Sequence, residues 1–204
     1  MLFKYISIFF YLAILFPYIS ADAVGKNGIV VSSKEAASKV GIDILKKGGN
    51  AVDAAIGVSF ALSVTHPSAG NLGGGGFMVI KFSDGTSTSI DYREVAPKES
   101  SKNMFLDESG EVISGLSTLS ALSSGVPGTV SGLGYVHDKY GSLEWSTLIY
   151  PSIMLAEFGY NLDAHNVSLL NNEYLKAKLS NYSSSREIFT KTNNFELNEL
   201  FIQN

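Results

Sequence analysis

The sequence predicts an α+β fold, and three observations predict it. Apolar residues recur at helical spacing up to Gly48-Gly49 and crowd every face of Ala51–Val64. Phe77–Phe82 and Thr86–Tyr92 flank Ser83-Asp84-Gly85, a hairpin signal with Asp-Gly in the turn. Helical spacing then returns after Gly128. Runs of one element type followed by runs of the other are the α+β pattern.

In chain order, Gly28–Ser32 is a short apolar run predicted as a strand. Ser33 is placed to cap a helix reaching about Lys47, with Ala36, Val40, Ile44 and Leu45 on its apolar face. Gly48-Gly49 stops it. Ala51–Val64 is predicted as a core helix because it is apolar all round, and His66-Pro67 ends it. In the hairpin, Phe77–Ile80 reads as buried on both faces, whereas Thr86–Ile90 alternates and is more exposed. Met104–Leu106 reads as a helical turn before Asp107–Gly110. Gly125–Gly128 is a second glycine-proline loop, leading into a helix over Thr129–Tyr140. Ser142 is expected to cap a helix to Tyr150, and Pro151 to begin another that ends at Gly159. Asp163–Leu179 reads as one helix, Ser180–Ser185 as a loop, and 188–204 has no clear period.

The chain has 204 residues, 45% hydrophobic and 17% charged, which fits a globular protein with a sizeable core. Net charge is −4, and losing Lys4 and Asp22 with the first 23 residues leaves it there. No basic block occurs, so nucleic acid is not an expected partner. Residues 1–23 read as a secretory signal: Lys4, an apolar run over Tyr5–Ile19, and Ala21-Asp22-Ala23 as an A-x-A cleavage site. An uncleaved anchor is the alternative, but Pro17 and a run of about fifteen residues fall short of the roughly twenty a span needs. The mature chain, 24–204, is thus expected in a secreted or periplasmic space. Cysteine is absent, which excludes a cysteine nucleophile and thiolate metal sites. His66, His137 and His165 form no metal-ligand pair at helical spacing and read as surface or capping residues. Asn166-Val167-Ser168 and Asn181-Tyr182-Ser183 fit glycosylation acceptors if the source is eukaryotic.

Two features carry candidate chemistry. Gly70 and Gly73–Gly76 form either a flexible turn or a loop where backbone approaches a ligand or another strand. Phe77 and Met78 follow Gly76 where a phosphate loop needs Lys and Ser or Thr, and the glycines sit after a helix rather than before one. Nucleotide binding is therefore disfavoured. Arg93, in Asp91-Tyr92-Arg93-Glu94, is either a structural arginine paired with Asp91 or Glu94, or a holder of an anionic substrate. A guanidinium fork suits a carboxylate.

Taken together, several segments resemble the γ-glutamyltransferases, also called glutathione hydrolases. They are Gly48–Ala55, Gly70–Phe77, Asp91–Pro97, Met104–Asp107, Gly125–Thr129, Asp138–Gly141 and Pro151–Gly159, in the same order. The resemblance spans Gly28 to Asn204. It implies an N-terminal-nucleophile hydrolase, a four-layer αββα sandwich incomplete in this chain. It implies a precursor that cleaves itself into two subunits, the new N-terminal threonine attacking a γ-glutamyl amide with its own amine as base. Acyl transfer to water or to an amino acid or peptide follows, glutathione being the usual donor, with no cofactor or metal. By resemblance, Arg93 grips the α-carboxylate of the γ-glutamyl group. The family's Thr-Thr-His or Thr-Ser-His nucleophile segment does not occur here. The chain is therefore expected to be the N-terminal part of a large subunit, inactive alone, whose partners are the rest of that subunit and the small subunit. The runner-up is a non-catalytic exported domain that binds a small carboxylate. A structural protein of the cell envelope has no repeat or heptad in its favour.

Overall fold

The computed structural model describes residues 23–203. The predicted signal segment, apart from Ala23, lies outside them. Among the described residues no helix is long and apolar enough to cross a membrane.

The fold is built around one helix. Helix α1 (Glu35–Lys46) is followed by α2 (Ala51–Thr65), which also packs against two later helices, α4 (Thr129–Tyr140) and α5 (Trp145–Phe158). Because α2 is touched from several directions, its apolar residues need no single stripe: Val52, Ala54, Ile56, Phe60, Ala61 and Val64 are all buried. Ile44 of α1, Leu133 and Val136 of α4, and Leu148 of α5 complete this core. Phe60 meets Trp145 edge-on at 5.5 Å.

Strands β1 (Phe77–Lys81) and β2 (Ser87–Asp91) pair antiparallel, Phe77 opposite Asp91 and Lys81 opposite Ser87. Gly85 takes φ +88° at the turn, a conformation glycine adopts without strain. Ile80 is buried, and Met78, Phe82 and Ile90 pack on the core beside it. The other face of β1 is uncovered, with Phe77 64% and Val79 77% exposed. The expectation of a strand buried on both faces is thus half right: one face has found its helices, and nothing among the described residues covers the other.

A second cluster forms from Val64, Leu162, Leu170, Phe195 and the strand pair β3 (Tyr160–Asn161) with β4 (Leu200–Phe201). Around it lie α6 (Ala164–Leu170), α7 (Glu173–Leu179) and α8 (Ser183–Phe189), while the short α3 (Leu116–Leu119) sits in the connection before α4. The described residues hold two separate two-stranded sheets, so the fold is mixed helix and sheet.

Several expectations need correction. Gly28–Ser32 is not a strand, because no strand lies alongside to take its ladder bonds. Ser33 is not the cap of α1; Lys34 takes that place without a side-chain cap bond. Pro151 does not start a helix. It lies inside the continuous α5, which forgoes the bond to the Thr147 carbonyl, at a cost of about 3 kcal/mol. Burial of Leu148, with Ile149 and Leu155 of the same helix packed against the core, offsets that loss. Asp163–Leu179 is two helices, because the Asn172 side chain accepts from Leu175 N–H and restarts the helix. Ser183–Phe189 is helical although its start reads as loop, and Met104–Phe105 is a turn that leads into an isolated bridge of Leu106 with Val112.

Asp53 joins the parts of the core. It is fully buried in the first turn of α2. Its carboxylate accepts from Asn50 N–H at 2.9 Å, while the Asn50 side chain accepts from Val52 and Asp53 N–H, a capping box. It also accepts from Ser142 N–H at 3.0 Å, from the Ser142 hydroxyl, and from Leu143 N–H at 3.5 Å. Burial pushes the carboxyl up, but these bonds outweigh it and hold Asp53 below its ordinary value. Asp53→Ala removes several part-buried hydrogen bonds, each worth about 0.5–1.5 kcal/mol, and is expected to lower the urea midpoint more than Asn50→Ala. The sign with pH follows from the lowered value. The contribution is complete above pH 3.8 and is lost as pH falls through the folded value. Trp145 is the only tryptophan, so its fluorescence reports both variants.

Candidate functional site

Three segments that are far apart in sequence meet at the end of the hairpin. The glycine loop leaves α2 at His66, whose carbonyl accepts from Ala69 N–H at 3.1 Å and Gly70 N–H at 2.8 Å. Further on, the Gly74 carbonyl accepts from Gly128 N–H at 2.9 Å and Thr129 N–H at 3.1 Å, which ties the loop to the start of α4. The Thr129 hydroxyl reaches the Asn71 carbonyl at 3.3 Å. Tyr92 N–H donates to the Gly76 carbonyl at 3.0 Å, and Val95 and Val126 exchange both backbone bonds, at 3.2 and 2.8 Å.

Arg93 lies between these loops, and its backbone is gripped on two sides. A Cβ on Gly75 would stand 2.6 Å from the Arg93 Cα and 2.5 Å from the Glu94 nitrogen. A Cβ on Gly128 would overlap the Tyr92 carbonyl. Of the two readings of the glycine run, close backbone approach is the one realised here, and the backbone approached is that of the candidate arginine.

The Arg93 side chain is 57% exposed. Its Nη2 donates to Glu94 Oε1 at 3.2 Å, and its guanidinium carbon stands 6.0 Å from the centroid of the Phe77 ring. Asp91 accepts from the Arg93 backbone N–H at 3.0 Å, not from its guanidinium. The structural pairing with Glu94 is therefore present. It occupies one edge of the fork and leaves the other N–H groups without a partner among the described residues. Beside Arg93 runs a groove of about 660 Å³, lined by Tyr92, Pro127, Ser131, Tyr135 and Lys139 among others. Glu94 is held below the usual carboxylate range by its own backbone N–H and by Arg93. Burial pushes the Tyr92 phenol up.

A second polar cluster escaped the sequence reading. Lys34 is 5% exposed, and its ammonium donates to both Asp163 oxygens at 2.9 and 2.7 Å and to Asn166 Oδ1 at 2.8 Å. The Asn166 amide donates to the Thr65 carbonyl at 2.9 Å. Asn166 is thus buried and engaged, unlike Asn181 in the other acceptor sequence, which is exposed. His66 and His165, expected as separate surface or capping residues, lie with ring centroids 5.1 Å apart, and His66 Nδ1 is buried without a partner among the described residues. His137 Nε2 meets the Leu143 carbonyl at 2.7 Å. No signal in the spacing pointed to the Lys34–Asp163 pair, because 129 residues separate its ends. Among the described residues no group of His, Asp and Glu is placed to hold a metal.

Comparison with known proteins gives a consistent result. Residues 37–202 match the family described as gamma-glutamyltranspeptidase. The chain is 50% identical over 150 residues to the glutathione hydrolase proenzyme of Pseudomonas sp. strain A14, covering 74% of this chain and 26% of that one. It is 46% identical over 166 residues to the glutathione hydrolase proenzyme of Escherichia coli K12, covering 81% and 28%. The fold superimposes on Helicobacter pylori gamma-glutamyltranspeptidase with TM-score 0.83 and 42% identity, over 89% of this chain and 52% of that chain. The chain thus spans about a quarter of the length of these curated relatives.

The His66 site makes a pH prediction. Burial, with help from Lys34 and His165, holds His66 below its ordinary 6.5, and Asp163 only partly opposes this. The unfolded chain therefore takes up the proton first. Stability is complete above pH 6.5 and erodes as pH falls from there toward the folded value. Unfolding by urea at a series of pH values is expected to show this slope, and His66→Gln to reduce it.

Proposed function

The chain belongs to the γ-glutamyltranspeptidase family, and from that premise we propose that it is part of an enzyme that transfers or hydrolyses γ-glutamyl groups. Glutathione and related γ-glutamyl compounds are the proposed donors. Arg93 is proposed to hold the donor's α-carboxylate. The observation that carries this is the placement of Arg93: backbone clamped by two glycine loops, side chain exposed, and a groove beside it. A planar fork with one edge engaged by Glu94 keeps donors free for a second carboxylate.

The chemistry needs a nucleophile that these residues do not supply. The sequence has no cysteine and no Thr-Thr-His or Thr-Ser-His segment. We therefore propose that activity requires further polypeptide, the rest of the large subunit and the small subunit, which would complete a four-layer αββα sandwich. A gap of about 680 Å³ supports this reading. Residues 27–31, Phe77–Val79 of β1 and Ala51, Ala54, Ala55 and Val58 of α2 line it. Ile29 and Val31, together with Phe77 and Val79, leave apolar surface uncovered there, and β1 keeps a free edge. Added strands would cover both. We also propose export to a secreted or periplasmic space, with the mature chain beginning at Val24. N-terminal sequencing of the exported protein checks this, and a chain starting at Met1 that pellets with membranes speaks for an anchor instead.

The test of function joins this chain to the remainder of the Pseudomonas relative and follows turnover of a γ-glutamyl anilide. The isolated chain is expected to be inactive and the completed protein active. Arg93→Ala leaves the substrate carboxylate unpaired, at roughly 2–5 kcal/mol in a desolvated site. It is expected to raise KM steeply while self-cleavage persists. An unchanged KM removes Arg93 from the site, and turnover by the isolated chain overturns the requirement for further polypeptide.

A further inference from the structure

Tyr92 stands immediately before the candidate arginine, and its ring occupies a notch made by two glycines. A Cβ on Gly76 would lie 3.0–3.1 Å from the Tyr92 ring and hydroxyl oxygen. A Cβ on Gly132, in the interior of α4, would overlap the Tyr92 Cβ and Cγ. Gly132 itself is buried, and Tyr92 is half-buried against it. Glycine inside a helix costs about 1 kcal/mol relative to alanine. Here the missing side chain is the space the ring fills. Gly134, two residues along the same helix, has nothing near its absent Cβ and is a built-in comparison.

Tyr92 and Arg93 are adjacent in the chain, so a ring fixed against α4 also fixes the backbone from which the Arg93 side chain leaves. We infer that Tyr92 is a positioning residue for Arg93: seated between Gly76 and Gly132, it aims the guanidinium at the donor's α-carboxylate. Ring packing does this, not the phenol oxygen, so phenylalanine serves as well. This rests on the reading of Arg93 under the proposed function.

The experiment uses the completed enzyme with a γ-glutamyl anilide, and self-cleavage reports folding. Tyr92→Ala and Gly132→Ala are expected to raise KM on the order of 10- to 100-fold, the scale of a misplaced binding group, with kcat nearly unchanged. Tyr92→Phe and Gly134→Ala are expected to behave as the parent. In an Arg93→Ala background, Tyr92→Ala is expected to add no further rise, because both act on one contact. Tyr92→Leu, which keeps an apolar peg, serves where Tyr92→Ala fails to self-cleave. A parental KM in Gly132→Ala and in Tyr92→Ala (or in Tyr92→Leu where it stands in) overturns the inference, as does a Tyr92→Ala effect that adds fully to Arg93→Ala. If Arg93→Ala itself leaves KM unchanged, the reading of Arg93 fails and takes the inference with it. An Arg93 effect without a Tyr92 effect sinks only the inference.

Discussion

A single buried carboxylate organises this structure. Asp53 closes the capping box of α2 and, with the same two oxygens, holds the turn that joins α4 to α5. Helix α2 runs through the middle of the core, so this one group fixes how the flanking helices meet it. A carboxylate buried without donors would be far too costly; one that receives several hydrogen bonds becomes a fastening with a defined geometry. Neighbouring backbones come close at this junction. A Cβ on Gly141 would stand 3.2 Å from an Asp53 oxygen.

The candidate site stands on the same framework. Helix α2 ends at His66, and the glycine loop starts from its carbonyl. Helix α4, held at its far end by the Asp53 turn, presents Gly128 and Gly132 to the hairpin at its near end. The arginine is therefore placed by backbone contacts between elements whose positions are set by the core, and not by loop side chains alone. Binding groups held this way lose little freedom when a ligand arrives.

How much of this could be read from the sequence depended on how local the cause was. The bounds of α4 and the hairpin turn came through because Gly128, Gly141 and Asp84-Gly85 mark them within a few residues. The Asn50–Asp53 box was also local, and its three-residue spacing could have revealed it. Pro151 misled because packing of Leu148, Ile149 and Leu155 of α5 against the core outweighed a lost hydrogen bond. The break at Asn171-Asn172 depends partly on Asn171 holding the backbone of Phe195 on a distant segment. The pairing of β3 with β4 and the ion pair of Lys34 are likewise products of long-range closure, which no window of the sequence contains. At the site, Arg93 was visible as a candidate, whereas the fit of Tyr92 to Gly132 required the fold.

The Lys34–Asp163 contact has a bearing on how the chain reaches this structure. Its ends are 129 residues apart, and closing a loop of that length carries an entropic cost that shorter contacts avoid. The contacts of α1 with α2 and of β1 with β2 are local by comparison and can form first. Lys34 would then remain hydrated until α6 arrives with Asp163 and Asn166, and the ammonium would enter the interior only together with its partners. On the ribosome this order is unavoidable, since Lys34 emerges long before Asp163 has been made. The pair is therefore a late seal, one that marks the docking of the second apolar cluster onto the first.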